Sequence, residues 1–216
     1  MARALGLANE QTGLFYNGGM NRGQLTAAGQ AARQRLIEAA AAEFATYGIA
    51  GARIDRISDG SSVSKAQIYK YYRSKDELFD AVFSAHLDMI VETVPLTGED
   101  LPGYAVRLYD SYLARPELTR LATWARLERT PTGDLFHSMP GHDDVKLQAI
   151  ADAQAKGLIE PSFSPSDVLN IVTSMSMTWS PASAMYAASN DDPEADHDRR
   201  RQTLARTIQR AFAPAG

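Results

Sequence analysis

The residues best suited to chemistry in this chain lie between positions 64 and 75, and they favour recognition over catalysis. Cations, an amide and tyrosines recur there at the spacing of a short helix: Lys65, Gln67, Tyr69, Lys70, Tyr71, Arg73 and Lys75. Basic side chains bind phosphates, and amide and basic side chains also bond to base edges in the DNA major groove. A short helix with such an outer face therefore favours insertion into that groove.

Two short helices joined by a tight turn must position these residues, and a third helix begins directly after them. The apolar side chains of the stretch can face one small core: Ile54, Ile57, Val63, Ile68 and Tyr72. Ser64 with Gln67, and Ser74 with Glu77, have the spacing of capping boxes, which predicts a helix of about seven residues between the two starts. The alternative is an ordinary small helical bundle with a solvated basic face.

The stretch VSKAQIYKYYRSKDELF resembles the DNA-binding signature of the TetR family of transcriptional regulators. Ten positions carry the match: Val63, Ser64, Ile68, Tyr69, Tyr71, Tyr72, Ser74, Lys75, Glu77 and Leu78. An upstream helix from about Arg33 to Gly48 is similar to the family's first helix, so the resemblance covers roughly residues 30–80. Ser62 stands where the family usually has Gly.

Two further departures lie near the second helix. Ala52 and Arg53 replace two Thr that are common in the family at its start. Gly60 lies inside that helix, where it costs about 1 kcal/mol relative to Ala.

The resemblance implies an all-α protein with an N-terminal three-helix helix-turn-helix DNA-binding domain and a larger helical ligand-binding and dimerisation domain. The DNA-binding residues predicted for double-stranded DNA are Arg53, Ser64, Lys65, Ala66, Gln67, Tyr69, Lys70, Tyr71 and Lys75. Tyr69 and Lys75 match phosphate-contacting positions of the family, and a helix N-terminus also favours an anion near Lys75. We predict that Lys65 and Tyr71 reach base edges.

Charge is distributed unevenly along the 216 residues. The net charge is −4, yet residues 22–75 hold nine Lys/Arg and four acids, a net of +5. Residues 76–216 hold twelve Lys/Arg and twenty-one acids, a net of −9. One part of the chain is therefore expected to approach phosphates while the other part points away.

Composition excludes several classes of protein. The sequence has no apolar run of membrane-spanning length and no apolar segment typical of a secretory signal, so we expect no membrane partner. Its lack of cysteine excludes disulfides and thiolate metal sites and fits a cytoplasmic protein.

The pattern divides the chain into a flexible arm at 1–27, a helix-turn-helix domain at 28–74, and a helical effector-binding and dimerisation domain at 75–216. A long amphipathic helix from Lys75 ends near Pro95. Further helices are predicted at 101–114, 117–130, 141–157, 165–188 and 193–212. Pro181 predicts a kink or break in the fourth of these.

The second domain contains aromatic and methionine side chains of the kind that line apolar ligand pockets. The candidates for an unidentified small-molecule effector are Tyr109, Tyr112, Trp124, Phe136 and Met175, with ordinary core packing as the alternative. Asp110 and Glu128 are acids that orient a cationic ligand or face water.

Two apolar stripes on the last helices are the predicted homodimer interface. They comprise Val168, Ile171, Val172, Leu204, Ile208 and Phe212. The alternative is that both stripes serve only the intrachain core.

Catalytic and metal sites have little support. His137 and His142 lie near Asp143 and Asp144 in a Pro/Gly-rich loop without the i, i+4 pairing of a helical metal site. We therefore expect no catalytic residue, no metal and no cofactor.

The sequence predicts a DNA-binding transcriptional regulator, most simply a repressor released from an inverted-repeat operator by a small apolar or amphipathic effector. The alternatives are an effector-independent or architectural DNA-binding protein and a helical enzyme or carrier.

Overall fold

The computed structural model describes residues 26–136, 141 and 143–214, and these ranges contain nine α-helices and no strand. The helices are α1 Ala27–Gly51, α2 Ile54–Ser61, α3 Lys65–Tyr71, α4 Lys75–Thr93, α5 Leu101–Ala114, α6 Pro116–Glu128, α7 Asp144–Ala155, α8 Pro165–Ser176 and α9 Glu194–Phe212. The all-α prediction is confirmed. Residues 1–25 of the predicted arm, His137 and His142 lie outside the described residues.

Gly48 sets the end of the straight part of α1. Its φ of +73° belongs to the left-handed region, and a Cβ placed there would lie 2.5 Å from Glu128 Oε1 and 2.9 Å from Trp124 Cε3. Both the backbone conformation and the close approach of α6 therefore require glycine. The chain continues one more turn to Gly51 before α2 begins.

The turn between α2 and α3 is built by serines. Ser62 adopts φ +55° and ψ +30°, the left-handed conformation in which glycine is usually favoured. Ser58 Oγ donates to Val63 O at 2.8 Å, and Val63 N donates to Ser61 Oγ at 3.3 Å. These bonds hold α2 and α3 at a fixed angle without glycine.

The predicted capping boxes form only in part. Ser64 Oγ accepts from Gln67 N at 3.3 Å and Ser74 Oγ accepts from Glu77 N at 3.0 Å, as expected. The reciprocal bonds differ, because the Gln67 side chain donates to Tyr71 OH and Glu77 Oε2 accepts from Arg73 N instead of Ser74 N. The caps nevertheless delimit a seven-residue α3, the length that the sequence predicts.

Two apolar cores divide the molecule. The first joins α1 to α4 and takes Leu121 and Ala125 from α6. Phe44 and Phe79 meet edge to face in it, with ring centroids 5.2 Å apart. The second core joins α5, α7, α8 and α9, and Leu87 of α4 packs against both. Helices α4 and α6 are therefore the elements shared by the two halves.

The helix predicted at 165–188 is shorter than expected. Helix α8 ends at Ser176, five residues before Pro181, and Met177 N bonds back to Thr173 O and Ser174 O in a tightened last turn. The following turns are closed by Ala188 N, which donates to Trp179 O at 2.8 Å. Proline lacks a donor and disfavours a helical residue before it, so a helix cannot continue unbroken through Pro181. Helix α5 has the predicted bounds, and α6, α7 and α9 lie within three residues of theirs.

No helix in the described ranges is both long and apolar enough to cross a membrane.

Candidate nucleic-acid interface and ligand cavity

Helix α3 is anchored by a single buried side chain, and most of its other side chains face solvent. Ile68 is 1% exposed, whereas Tyr69 is 52% exposed. Of the nine residues predicted to bind DNA, seven are exposed and two, Tyr71 and Lys75, are half-buried. The structure therefore brings the predicted recognition residues together on one open surface around α3.

Two contacts order the polar side chains of this surface. Gln67 Nε2 donates to Tyr71 OH at 2.9 Å, which fixes an amide and a phenol one turn apart. Lys65 forms an ion pair with Asp55 of α2. The hydrogen bond between them lowers the pKa of Asp55 and raises the pKa of Lys65, so both remain charged at neutral pH. Lys65 is thus held at the start of α3.

Lys75 has a structural contact that the sequence does not reveal. Its Nζ donates to Ala50 O at 2.9 Å and to Ala52 O at 3.1 Å, at the end of α1. An ammonium group has three donors, so one remains for a phosphate.

A buried carboxylate on α1 bonds to the start of α2. Glu43, 8% exposed, accepts from Arg53 N at 2.8 Å and pairs with Arg56 at 2.6 Å. The Arg56 guanidinium also lies 4.1 Å from the centroid of the Tyr47 ring. A charged acceptor at the start of α2 satisfies an N–H that the helix itself leaves open.

Helix α6 is bonded to the end of α1 through a set of contacts that we call the α1–α6 junction, formed by Trp124 and Glu128. Trp124 Nε1 donates to Ala45 O at 3.3 Å. Glu128 accepts from Ile49 N at 3.2 Å and from Ala50 N at 2.7 Å. Neither residue lines either of the two cavities described below, so the structure assigns Trp124 to this junction.

The next residue strengthens the connection to α4. Arg129 pairs with Asp76 at 2.6 Å and with Asp80, and its guanidinium lies 4.8 Å from the centroid of the Phe79 ring. The acids suggested for a cationic ligand are also engaged elsewhere, because Glu128 binds α1 and Asp110 pairs with Arg201 at 2.9 Å.

A cavity of about 1030 Å³ lies between α4, α5, α6, α7 and α8. Its wall is largely apolar, and its residues include Leu87, Tyr104, Leu108, Tyr112, Leu118, Thr119, Phe136, Leu147, Leu169 and Met177. Tyr112 and Phe136 are among the predicted ligand-binding residues. Tyr104 was missed, although it repeats the spacing of Leu108 and Tyr112 along one face of α5.

A second, smaller cavity of about 440 Å³ lies beside the chain that follows α8. Tyr109 and Tyr112 line it together with Trp179. Tyr109 also shares a hydrogen bond of 2.7 Å with His197, which is 2% exposed. Met175 lines neither cavity, since it packs against the second core.

Five of the six residues predicted to form the dimer interface are instead buried within the chain. They are Val168, Val172, Leu204, Ile208 and Phe212, each at most 4% exposed. Helices α8 and α9 turn these apolar stripes toward α5 and α7, where the side chains complete the core of one chain. The predicted dimer interface stays a prediction. Only Ile171, 39% exposed, stays at the surface.

The described residues contain no group of His, Cys, Asp and Glu side chains arranged to hold a metal ion. Asp143, which the sequence suggested beside the two histidines, lies 3.4 Å from Lys146 Nζ.

A recognition helix with an ordered polar face, joined by α4 and α6 to a helical unit around a large cavity, defines a DNA-binding regulator. A family model described as bacterial regulatory proteins, tetR family, matches residues 36–82. A second, described as tetracyclin repressor-like, C-terminal domain, matches residues 100–210. The chain belongs to the TetR family of transcriptional regulators.

Individual relatives agree with this assignment. The chain is 38% identical to the HTH-type transcriptional repressor SCO4008 of Streptomyces coelicolor over 148 residues. This alignment covers 68% of this chain and 77% of that protein. It is 39% identical over 62 residues to the HTH-type transcriptional activator FasR of Mycolicibacterium smegmatis, 29% of this chain and 28% of that one. The crystal structure of SCO4942, a proposed transcriptional regulator of Streptomyces coelicolor, is similar at 36% identity and a TM-score of 0.68, covering 84% of this chain and 98% of that chain.

Proposed function

We propose that the protein is a dimeric repressor that occupies an inverted-repeat operator and leaves it when a small apolar or amphipathic molecule enters the larger cavity. The observation that carries the proposal is the exposed face of α3, on which Gln67 is ordered by Tyr71 and Lys65 by Asp55. Ordered side chains lose less conformational freedom on meeting base edges, which favours sequence-specific binding.

The charge distribution supports the orientation on DNA. Residues 22–75 carry a net charge of +5 and residues 76–216 a net charge of −9. Phosphates attract the first part and repel the second, so α3 meets the duplex while the cavity points away. Lys65 and Tyr71 then reach base edges, and Tyr69 and Lys75 contact phosphates.

The path from cavity to α3 runs through α6 in this proposal. One face of α6 lines the cavity with Thr119, Ala122 and Thr123, and another forms the α1–α6 junction. A ligand that displaces α6 therefore displaces α1 and the helices bonded to it. Release requires the ligand to bind better to the displaced arrangement than to the DNA-bound one.

The sign of regulation rests on the longer of the two curated matches. The relative named a repressor aligns over 148 residues, whereas the relative named an activator aligns over 62. Repression is therefore better supported than activation. We also propose that the protein acts by binding DNA and a small molecule and not by catalysis.

The dimer surface is proposed on the outward sides of α8 and α9. Ile171 is exposed on α8, and Met185, 94% exposed, projects from the chain that follows it. Charge introduced by Ile171→Glu should produce folded monomers in sedimentation velocity, since the side chain is not part of the core. An unchanged dimer would place the interface elsewhere.

The proposal is tested by footprinting the DNA that flanks the coding sequence of this protein. We expect two protected half-sites with centres about 34–36 Å apart, since two recognition helices of a dimer meet successive major-groove faces. Protection of a single asymmetric site, or none, would contradict the dimeric operator.

A further inference from the structure

Two tyrosines of the larger cavity have hydroxyls without a hydrogen-bond partner among the described residues. Tyr104 is 1% and Tyr112 6% exposed, both line the cavity, and neither hydroxyl bonds to another group in the described part of the chain. Burial raises the pKa of Tyr104 to about 12 and that of Tyr112 further, so both hydroxyls keep their protons at neutral pH. Both residues line the cavity, so their hydroxyls are available to hydrogen-bond a bound molecule.

Carboxylates outnumber cations among the described residues that line the cavity. These are three carboxylates and two cations: Asp134, Asp143, Asp144, Arg126 and Lys146. Both cations already have oxygen partners. Arg126 Nη1 donates to Thr130 O at 2.8 Å and to Gly133 O at 2.7 Å, and Lys146 lies beside Asp143.

Asp144 differs from the other charged groups. Its carboxylate, in the first turn of α7, makes no hydrogen bond or ion pair within the described residues. Asp143 lies close enough to Tyr104 to raise the pKa of its phenol further, so the start of α7 brings carboxylate charge beside the phenol. We call Tyr104, Tyr112 and Asp144 the polar strip of the cavity; its two phenols are buried and Asp144 is exposed.

We propose that the larger cavity selects organic cations, with an apolar body against Leu108, Leu118 and Met177 and a protonated amine on the strip of Tyr104, Tyr112 and Asp144. This inference rests on the proposed function and names the chemical class of its effector. An ammonium group donates to carboxylate and phenol oxygens and is attracted to the faces of aromatic rings. An anion is repelled by the carboxylate of Asp144, and Arg126 and Lys146 are already bonded to other oxygens, so the cavity disfavours it.

Three probes with the same apolar chain and different charge test the proposal: decylamine, decanol and decanoate. Each is titrated calorimetrically into the full chain without DNA, at pH 7 and below its aggregation concentration. We expect decylamine to bind about tenfold or more tightly than decanol, and decanoate to bind more weakly than decanol.

Two substitutions assign the preference to the strip. Asp144→Asn keeps the shape of the side chain and removes its charge, and Tyr104→Phe removes only a hydroxyl. Each should reduce the preference for decylamine over decanol by about threefold or more, while decanol itself binds as before. Asp152→Asn, on the same helix but outside the cavity, is the matched control and should leave the preference intact.

Equal or tighter binding of decanol or decanoate would overturn the cation proposal, as would the absence of binding by all three probes. Since no DNA is present, these results leave operator binding untouched. A protein that binds decylamine as expected but protects no operator would instead contradict the proposed function.

Discussion

The two ends of this molecule present their polar groups in opposite directions. Helix α3 buries one side chain and turns its amide, its cations and Tyr69 toward solvent. Helix α5 does the reverse, since Tyr104 and Tyr112 carry their hydroxyls into the interior. The outward surface suits a partner as large as a duplex, whereas the inward one admits only a molecule that fits about 1030 Å³.

The comparison shows where the two ends must communicate. Their cores are separate except where α4 and α6 contribute to the core or cavity of the other half. The polar bonds between them include the α1–α6 junction and the pairs of Arg129.

Ile208→Glu should have the largest effect. Ile208 is fully buried, so the substitution places an unpaired charge in the second core and should lower the free energy of unfolding by about 3–5 kcal/mol. Urea denaturation measures the loss, and Thr207→Glu, the exposed neighbour, serves as control. A folded monomer of wild-type stability would show instead that Ile208 belongs to a subunit interface.

Glu128→Ala tests the connection between the halves. The carboxylate accepts from Ile49 N and Ala50 N, and removing it should cost about 1–2 kcal/mol of stability in the first core. Glu128→Gln keeps one acceptor oxygen and should lose less. Hydrogen exchange at the amides of residues 49 and 50 locates the effect. Unchanged protection in Glu128→Ala would show that the α1–α6 junction does not stabilise this part of α1.

Lys70→Ala and Lys75→Ala separate binding from stability on the recognition surface. Each should lower the slope of log affinity against log salt by about one unit for operator and unrelated DNA alike. Only Lys75→Ala should also lower the melting temperature, because Lys75 alone bonds to Ala50 O and Ala52 O. Equal melting temperatures would mean that those two bonds contribute nothing to stability.

Ser62→Gly should have the smallest effect, and it is stabilising. The left-handed conformation of Ser62 costs about 1–2 kcal/mol for a residue with a Cβ, and the greater freedom of glycine in the unfolded chain offsets part of this. A net gain of roughly 0.5 kcal/mol is expected in thermal unfolding. Ser61→Gly should do the opposite, since it removes the acceptor of Val63 N.

The recognition surface could be predicted from the sequence because it depends on local features. Ser64 and Ser74 cap two helices, Ile68 alone anchors α3, and the remaining residue types show the chemistry. The bonds of Lys75 to α1 could not be predicted, because they join residues more than twenty positions apart.

The second core and the larger cavity were less predictable from the sequence, for a physical reason. An apolar stripe shows that a helix buries one side, but it does not show against what. Val172 and Ile208 therefore read equally well as interface or core, and Trp124 as cavity or junction. Tyr104 has a phenol whose role depends on α7, a helix that lies forty residues further along the chain.

The most direct test of the recognition surface is the ratio of affinities for the footprinted operator and a scrambled duplex of the same composition, measured by fluorescence anisotropy at one fixed salt concentration. We expect a ratio of about 10³ or more for the unaltered protein, falling at least about tenfold when Lys65→Ala and Gln67→Ala are combined. Their exposed positions should leave the melting temperature unchanged. A ratio near one in the unaltered protein, or an unchanged ratio in the double variant, would contradict the assignment of sequence recognition to α3.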